Sequence, residues 1–301
     1  MTDTRTPIAT TTTASEPTSD TDPAAGSVFA PAGAPAADRN GPGVPTTDGM
    51  TITGRFDTSA APAAGPRPAA APAAPPVEFG LVAFDLYRDV HKAIRAELFD
   101  VTTSAGRLDP ADRDGRAALS AHVHGIVELL VAHAHHEDDA IQPVLVEQLP
   151  FLAERVEIDH VRLEERMEDL TAMADGALHA PLVELRPRVH QLYMELASFT
   201  SAYLAHQDVE ERVIMPSLEV AIGVPEVIRI HEAIIGAIPP EEMAQSLALM
   251  IPAMNVDDRA ELLGGMQAGA PPEVFAGVWG LVGSVLEPTD HAALARRLDL
   301  Y

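Results

Sequence analysis

Two stretches of this chain, HAHHEDDAIQP at residues 133–143 and HQDVEERVIMP at residues 206–216, align on their prolines. The alignment pairs His133 with His206, Glu137 with Glu210, the acidic neighbours Asp138 and Glu211, and Ile141 with Ile214. On a helix a spacing of four puts the histidine and the glutamate on the same face, so each stretch offers one imidazole and one carboxylate side by side. The sequence has no cysteine, which excludes disulfides, thiolate nucleophiles, iron–sulfur clusters and the commoner structural zinc sites. A metal bound by this chain must use nitrogen and oxygen donors.

Both stretches lie in segments with helical apolar spacing. The spacing predicts a first helix over about Glu78 to Ser104, with Phe84, Tyr87, His91, Ile94 and Leu98 on one face, ending near Gly106. A second runs from about Arg116 to Leu149 with Ile126, Leu130, His133, Glu137, Ile141 and Val144 inward, and Pro143 predicts a kink. A third, from about Pro150 to Ala174, aligns Val156, His160, Leu163, Met167 and Leu170 before an expected turn at Asp175–Gly176. The fourth, from about Pro181 to Ala221, carries Leu192, Leu196, Phe199, Tyr203, His206, Glu210 and Val213, with Pro216 as the second late proline. Long helices with short connections return beside one another, so an all-α fold built on an antiparallel four-helix bundle over residues 77–223 is expected. Residues 224–301 read as a helical C-terminal extension of shorter elements, one opening at Pro240, another capped at Asp257 and a last one following Pro288.

One histidine interrupts the inner stripe of each long helix: His91, His133, His160 and His206. Glu137 and Glu210 share that interior, where an uncompensated carboxylate costs several kcal/mol. Metal ions remove the cost, and mixed imidazole and carboxylate donors suit iron, manganese or zinc better than calcium or magnesium. Carboxylates can bridge two ions, so one glutamate per half-site points to a dinuclear centre. Glu164, four residues after His160, is a further candidate metal ligand, and Glu211 could replace Glu210. His135 with Asp139 shares the spacing but lies on a wetter face, and His136 sits beside the inner stripe. His122, His124, His179, His190, His231 and His291 have no matching partners and read as structural.

The remaining composition narrows the setting. Residues 1–76 are rich in Thr, Ala and Pro and poor in large apolar residues, the composition of a disordered tail. No basic start with an apolar core suggests a signal peptide, and no later segment reads as the roughly 18 apolar residues of a membrane span. A cytoplasmic protein is expected. Of 45 acids and 20 bases, 38 and 16 lie after residue 76, within a formal charge of -25, which disfavours nucleic acid and anionic membranes as partners.

The order of a lone His, His-x-x-x-Glu, another His, and His-x-x-x-Glu-Glu, with a proline after each acidic pair, resembles the hemerythrin-like HHE cation-binding domain over about residues 80–220. The resemblance implies a non-haem di-iron centre, two Fe ions bridged by oxygen and two carboxylates. Oxygen-carrying members have a further histidine where this chain has Glu164, and place the last carboxylate at the position of Glu211. A carboxylate at residue 164 would favour ferric iron and disfavour reversible dioxygen carriage. The expected function is a di-iron protein that binds or senses iron, dioxygen, nitric oxide or peroxide, with a di-iron enzyme acting on peroxide or another small oxidant as the alternative. A ferritin-like oxidase expects Glu-x-x-His on two helices, and only Glu157 with His160 fits. The apolar run MIPAMNVDDRAELLGGM makes the C-terminal extension a candidate surface for a protein partner.

Overall fold

The computed structural model describes residues 81–300, and the expected disordered tail and the first residues of the expected first helix lie outside them. The described residues contain eleven α-helices, one π-helical turn and no strand. Four long helices make the bundle: α1 (Arg88–Arg107), α2 (Arg113–Ala140), α4 (Pro150–Leu178) and α5 (Leu185–Val209), with the short α3 (Gln142–Gln148) between α2 and α4. The pairs α1/α2, α2/α4, α4/α5 and α5/α1 pack against one another and close the bundle.

The inner stripes read from the sequence supply the core. Ile94 and Leu98 of α1, Ile126 and Leu130 of α2, Leu163 and Met167 of α4, and Leu192, Leu196 and Phe199 of α5 form one buried cluster. Burying each such side chain stabilises the fold by about 1.5–3 kcal/mol, which fixes the angle at which every helix presents its polar residues. Asp112 caps α2 by accepting a hydrogen bond from the Gly115 N–H at 3.1 Å. Against expectation, α2 has the length and hydropathy of a membrane span, alone among the described helices. Its apolar side faces the bundle, where Leu119, Val123, Ile126 and Leu130 are buried.

Each late proline removes a backbone donor, but the two copies respond differently. Before Pro143 the helix breaks: α2 ends at Ala140, Ile141 joins it to α3, and Pro143 sits in the first turn of α3. Before Pro216 the chain widens instead into a π-helical turn, Glu210–Ile214, where the Met215 N–H bonds to the Glu210 carbonyl; α6 (Met215–Ile222) follows. The turn expected at Asp175–Gly176 is absent, because α4 continues to Leu178. Asp175 is tied to α2 there, accepting hydrogen bonds from Ser120 Oγ at 3.1 Å and His124 Nε2 at 3.0 Å, and these contacts hold the segment in the helix.

Beyond Gly223 the chain forms α7 (Val224–Ala237), α8 (Pro240–Ala253), α9 (Val256–Gly269), α10 (Pro272–Val285) and α11 (Pro288–Arg297). They divide by core. From α7, Val227 and Ile230 join Tyr87, Ile141, Leu145, Val156, Ile214 and Leu218 in a second cluster, fed also by α3 and α6. Helices α8 to α11 bury Leu247, Ile251, Leu263, Val282 and Leu294 in a cluster of their own. The cap of α9 is Asn255, not Asp257: its side-chain oxygen accepts from the Asp257 and Asp258 N–H groups at 2.9 and 3.0 Å.

Candidate metal centre

All four stripe histidines and both glutamates meet in one pocket inside the bundle. His91 comes from α1, His133 and Glu137 from α2, His160 from α4, His206 from α5, and Glu210 from the π turn. Every one is at most 8% exposed, with His91 at 0% and Glu210 at 1%. The imidazoles turn Nε2 inward: His91 Nε2 and His133 Nε2 are 3.2 Å apart. The two oxygens of each carboxylate separate between two pairs of histidines. Glu137 Oε1 lies 3.0 Å from His133 Nε2 and 4.0 Å from His91 Nε2, while its Oε2 is 3.4 Å from His160 Nε2. Glu210 mirrors it, with Oε2 3.5 Å from His91 Nε2, and Oε1 3.1 Å from His206 Nε2 and 3.9 Å from His160 Nε2.

The two imidazoles His91 and His133 hydrogen-bond to each other, but none of the carboxylate–imidazole approaches has hydrogen-bond geometry. Both oxygens of Glu137, both oxygens of Glu210 and His160 Nε2 are buried without a hydrogen-bond partner. Five orphaned polar atoms in one pocket are far outside normal practice, since buried polar groups are paired almost without exception. Their chemistry is that of a metal donor set. Potential ligand atoms fall into two groups, Glu137, His160, His206 and Glu210 in one, and His91, His133 and Glu137 in the other, with the atoms of each group within 4.8 Å of one another. Glu137 belongs to both groups, as a bridging carboxylate would.

The outward nitrogens are also held. His91 Nδ1 is 2.9 Å from Glu211 Oε1, and Arg95 grips the same carboxylate with Nη1 at 2.7 Å and Nη2 at 3.0 Å. His160 Nδ1 is 3.0 Å from Asp138 Oδ1. The acid that follows each inner glutamate thus reaches a histidine on another helix, Asp138 to α4 and Glu211 to α1. Such partners fix the ring orientation and tautomer of a ligating histidine. The place of these two acids after each His-x-x-x-Glu is the only sequence signal of this role, which helix spacing alone does not assign.

The electrostatics set the two carboxyls of the pocket apart. Burial, and then the charge of Glu137, pushes the Glu210 carboxyl well above its usual range. Burial also acts upward on Glu137, but the adjacent imidazoles, His133 foremost, hold it well below. Burial lowers His91 and His206 to about 4. It acts in the same sense on His160, where the Glu137 carboxylate prevails and raises the imidazole to about 9. Tyr87 and Tyr203 line the pocket, with ring centroids 5.0 Å from His91 and 5.7 Å from His206. Burial and then the Glu137 and Glu210 charges raise both phenols.

Other candidates fall elsewhere. Glu164 is half-buried and belongs to neither group of convergent ligand atoms, because the helix turns it aside from the face that His160 shares with Val156 and Leu163. Glu211 holds His91 from outside, so Glu210 occupies the pocket. His135 and Asp139 are exposed, and His136 is 3.2 Å from Glu242 of α8. Glu157 is exposed, facing away from His160. His122 and His124 pair with Glu97 and Asp175, each at 3.0 Å, and His179 Nδ1 is 3.0 Å from the Asp175 carbonyl. His190, His231 and His291 lie against Tyr193, Phe84 and Trp279.

A four-helix bundle with two histidine pairs divided between two buried carboxylates defines a helical protein whose core could hold metal with carboxylate and imidazole donors. Residues 82–218 match the family model described as the hemerythrin HHE cation-binding domain. The match ends within α6 and leaves α7 to α11 outside it. No curated protein and no solved structure matches the chain.

Proposed function

We propose that the pocket binds two iron ions and that the protein binds or senses a small ligand there, dioxygen, nitric oxide or peroxide. The observation that carries this reading is the division of the Glu137 and Glu210 oxygens between the His91/His133 pair and the His160/His206 pair. Each half offers two imidazoles and a share of two carboxylates, the mixed donor set that suits iron. Bound iron supplies a redox-active Lewis acid.

The chain's own residues determine what can reach it. With six donors at most 8% exposed and Tyr87 and Tyr203 against His91 and His206, burial would restrict a ligand to a molecule of a few atoms. Glu211 and Asp138 keep the His91 and His160 rings turned inward. Net negative charge favours entry of cations over anions, and the reading places the protein in the cytoplasm. Helices α8 to α11, with their separate core, would be the part that meets a protein partner.

Metal analysis and an optical spectrum of the purified full chain test the proposal. About two iron ions per chain and a saturable spectral change on adding nitric oxide or one equivalent of peroxide are expected. One ion or none overturns the dinuclear reading. Continuous consumption of peroxide would reassign the protein as an enzyme.

A further inference from the structure

The two halves of the pocket each hold two imidazoles and share Glu137, with Glu210 converging on the His160/His206 half, and they are unlike also in what stands behind them. His160 Nδ1 meets Asp138, whose side chain is 40% exposed, and no Lys or Arg pairs with Asp138 among the described residues. His91 Nδ1 meets Glu211, and the oxygen it touches, Oε1, is also held by Arg95 Nη1 at 2.7 Å, while Nη2 holds Oε2 at 3.0 Å. Arg95 and Glu211 are 29% and 21% exposed, partly shielded from solvent. Arg95 stands one helical turn after His91 on α1, so one helix presents both the ligand candidate and the cation behind it.

A carboxylate that accepts an imidazole N–H raises the ring's donor strength. A guanidinium bound bidentately to that carboxylate competes for its lone pairs and withdraws charge. We propose that Arg95 is a positioning residue that acts through Glu211 on His91, making the His91/His133 half of the centre a weaker electron donor than the His160/His206 half. The two metal positions are thereby inequivalent, although the repeated sequence phrase makes them look equal. The inference rests on the di-iron reading for its electrochemical consequence. Its hydrogen-bond component belongs to the polypeptide alone.

The alternative role for the same three residues is a staple joining α1 to the π turn, and the sign of the response separates the two. In the iron-loaded full chain, reduction potentials are measured by spectroelectrochemical titration for the wild type, Glu211→Gln, Arg95→Met and Arg95→Lys. Glu211→Gln keeps an acceptor for His91 Nδ1 but removes its charge, and should raise the potential of one iron. Arg95→Met leaves Glu211 wholly to His91 and should lower the potential of the same iron, with Arg95→Lys shifted less in the same direction. Shifts of one sign in Glu211→Gln and Arg95→Met, or none, overturn the proposal. Should Arg95→Met not fold, the sign in Arg95→Lys decides. A second measurement needs no metal: nitrogen-15 NMR of the metal-free full chain should find the His91 proton on Nδ1, moving downfield in Arg95→Lys as its hydrogen bond strengthens. A His91 proton on Nε2, or a resonance unmoved by Arg95→Lys, overturns the proposal even if the chain binds no iron. Failure to bind iron with the expected NMR result would instead overturn the di-iron reading alone.

Discussion

A carboxylate buried without a donor is costly until positive charge stands beside it, and Glu137 and Glu210 meet that requirement differently. Glu137 stays ionised against His133 and His160, whereas Glu210 is driven towards its neutral form. In metal-free protein Glu210→Gln should therefore leave the melting temperature nearly unchanged, while Glu137→Gln breaks a buried ion pair and should cost about 3 kcal/mol. With iron present, both substitutions should lower the bound metal below two ions per chain, and Asp139→Asn, on an exposed residue, should do nothing in either state. Metal analysis beside calorimetric melts with and without iron checks all three. The histidines set the pH response of the metal-free form. His91 and His206 titrate near 4 folded and near 6.5 unfolded, so their contribution is complete above 6.5 and is lost as pH falls towards 4, at about 1.4 kcal/mol per unit for each. His160, raised to about 9, contributes fully below 6.5 and loses its contribution as pH rises through 9. Metal-free melting temperatures should peak near pH 6.5 and fall on both sides. A profile flat from pH 4 to 9 would contradict this account.

At the scale of the helix, legibility followed periodicity. Four stripes at spacings of three and four placed the helices and brought six candidate donors to one interior, because burial of Ile94, Leu130, Leu163 and Phe199 dictates which face turns inward. Features without a period were not legible. Asp175–Gly176 has the composition of a turn, yet long-range bonds from Ser120 and His124 keep it helical. Asp257 looked like a cap, but Asn255 reaches the two free N–H groups. Pro143 and Pro216 are the same signal with different outcomes, a break in one copy and a π turn in the other; a proline states which bond is missing and not how the backbone compensates. The placement of Glu211 against His91 and Glu164 outside the centre likewise required the actual helix rotation. The end of α6 is more tightly specified. Gly223 has φ +79 and ψ 156, a conformation side chains rarely adopt, so Gly223→Ala should destabilise the chain by about 1–3 kcal/mol in denaturant unfolding without altering the donors themselves.

Across the whole described molecule, two modules share α1 as a common wall. Its inner face carries His91, while its outer residues Arg88 and Lys92 engage α9: Arg88 with Glu261 at 3.0 Å, and Lys92 with Asp258. His136 of α2 meets Glu242 of α8 in the same seam. Since α8 to α11 have their own core, reversing Arg88 and Lys92 to Glu should loosen this seam before it unfolds either module. Faster hydrogen exchange in α8 and α9, with bound metal unchanged, is the expected result; loss of metal would show that the seam supports the bundle itself.

Enclosure has a consequence for time as well as for affinity. With every donor side chain nearly sealed from solvent, an ion seated in the pocket cannot be pulled out by a chelator approaching from outside, and must wait for the helices to part. Removal of iron should therefore speed up with chelator concentration only to a ceiling, and that ceiling is the rate at which the bundle opens. Stopped-flow mixing with a strong chelator over a wide concentration range would show it. Such a protein would hold its metal through brief scarcity and yield it through prolonged scarcity, a timer set by helix packing rather than by the binding constant.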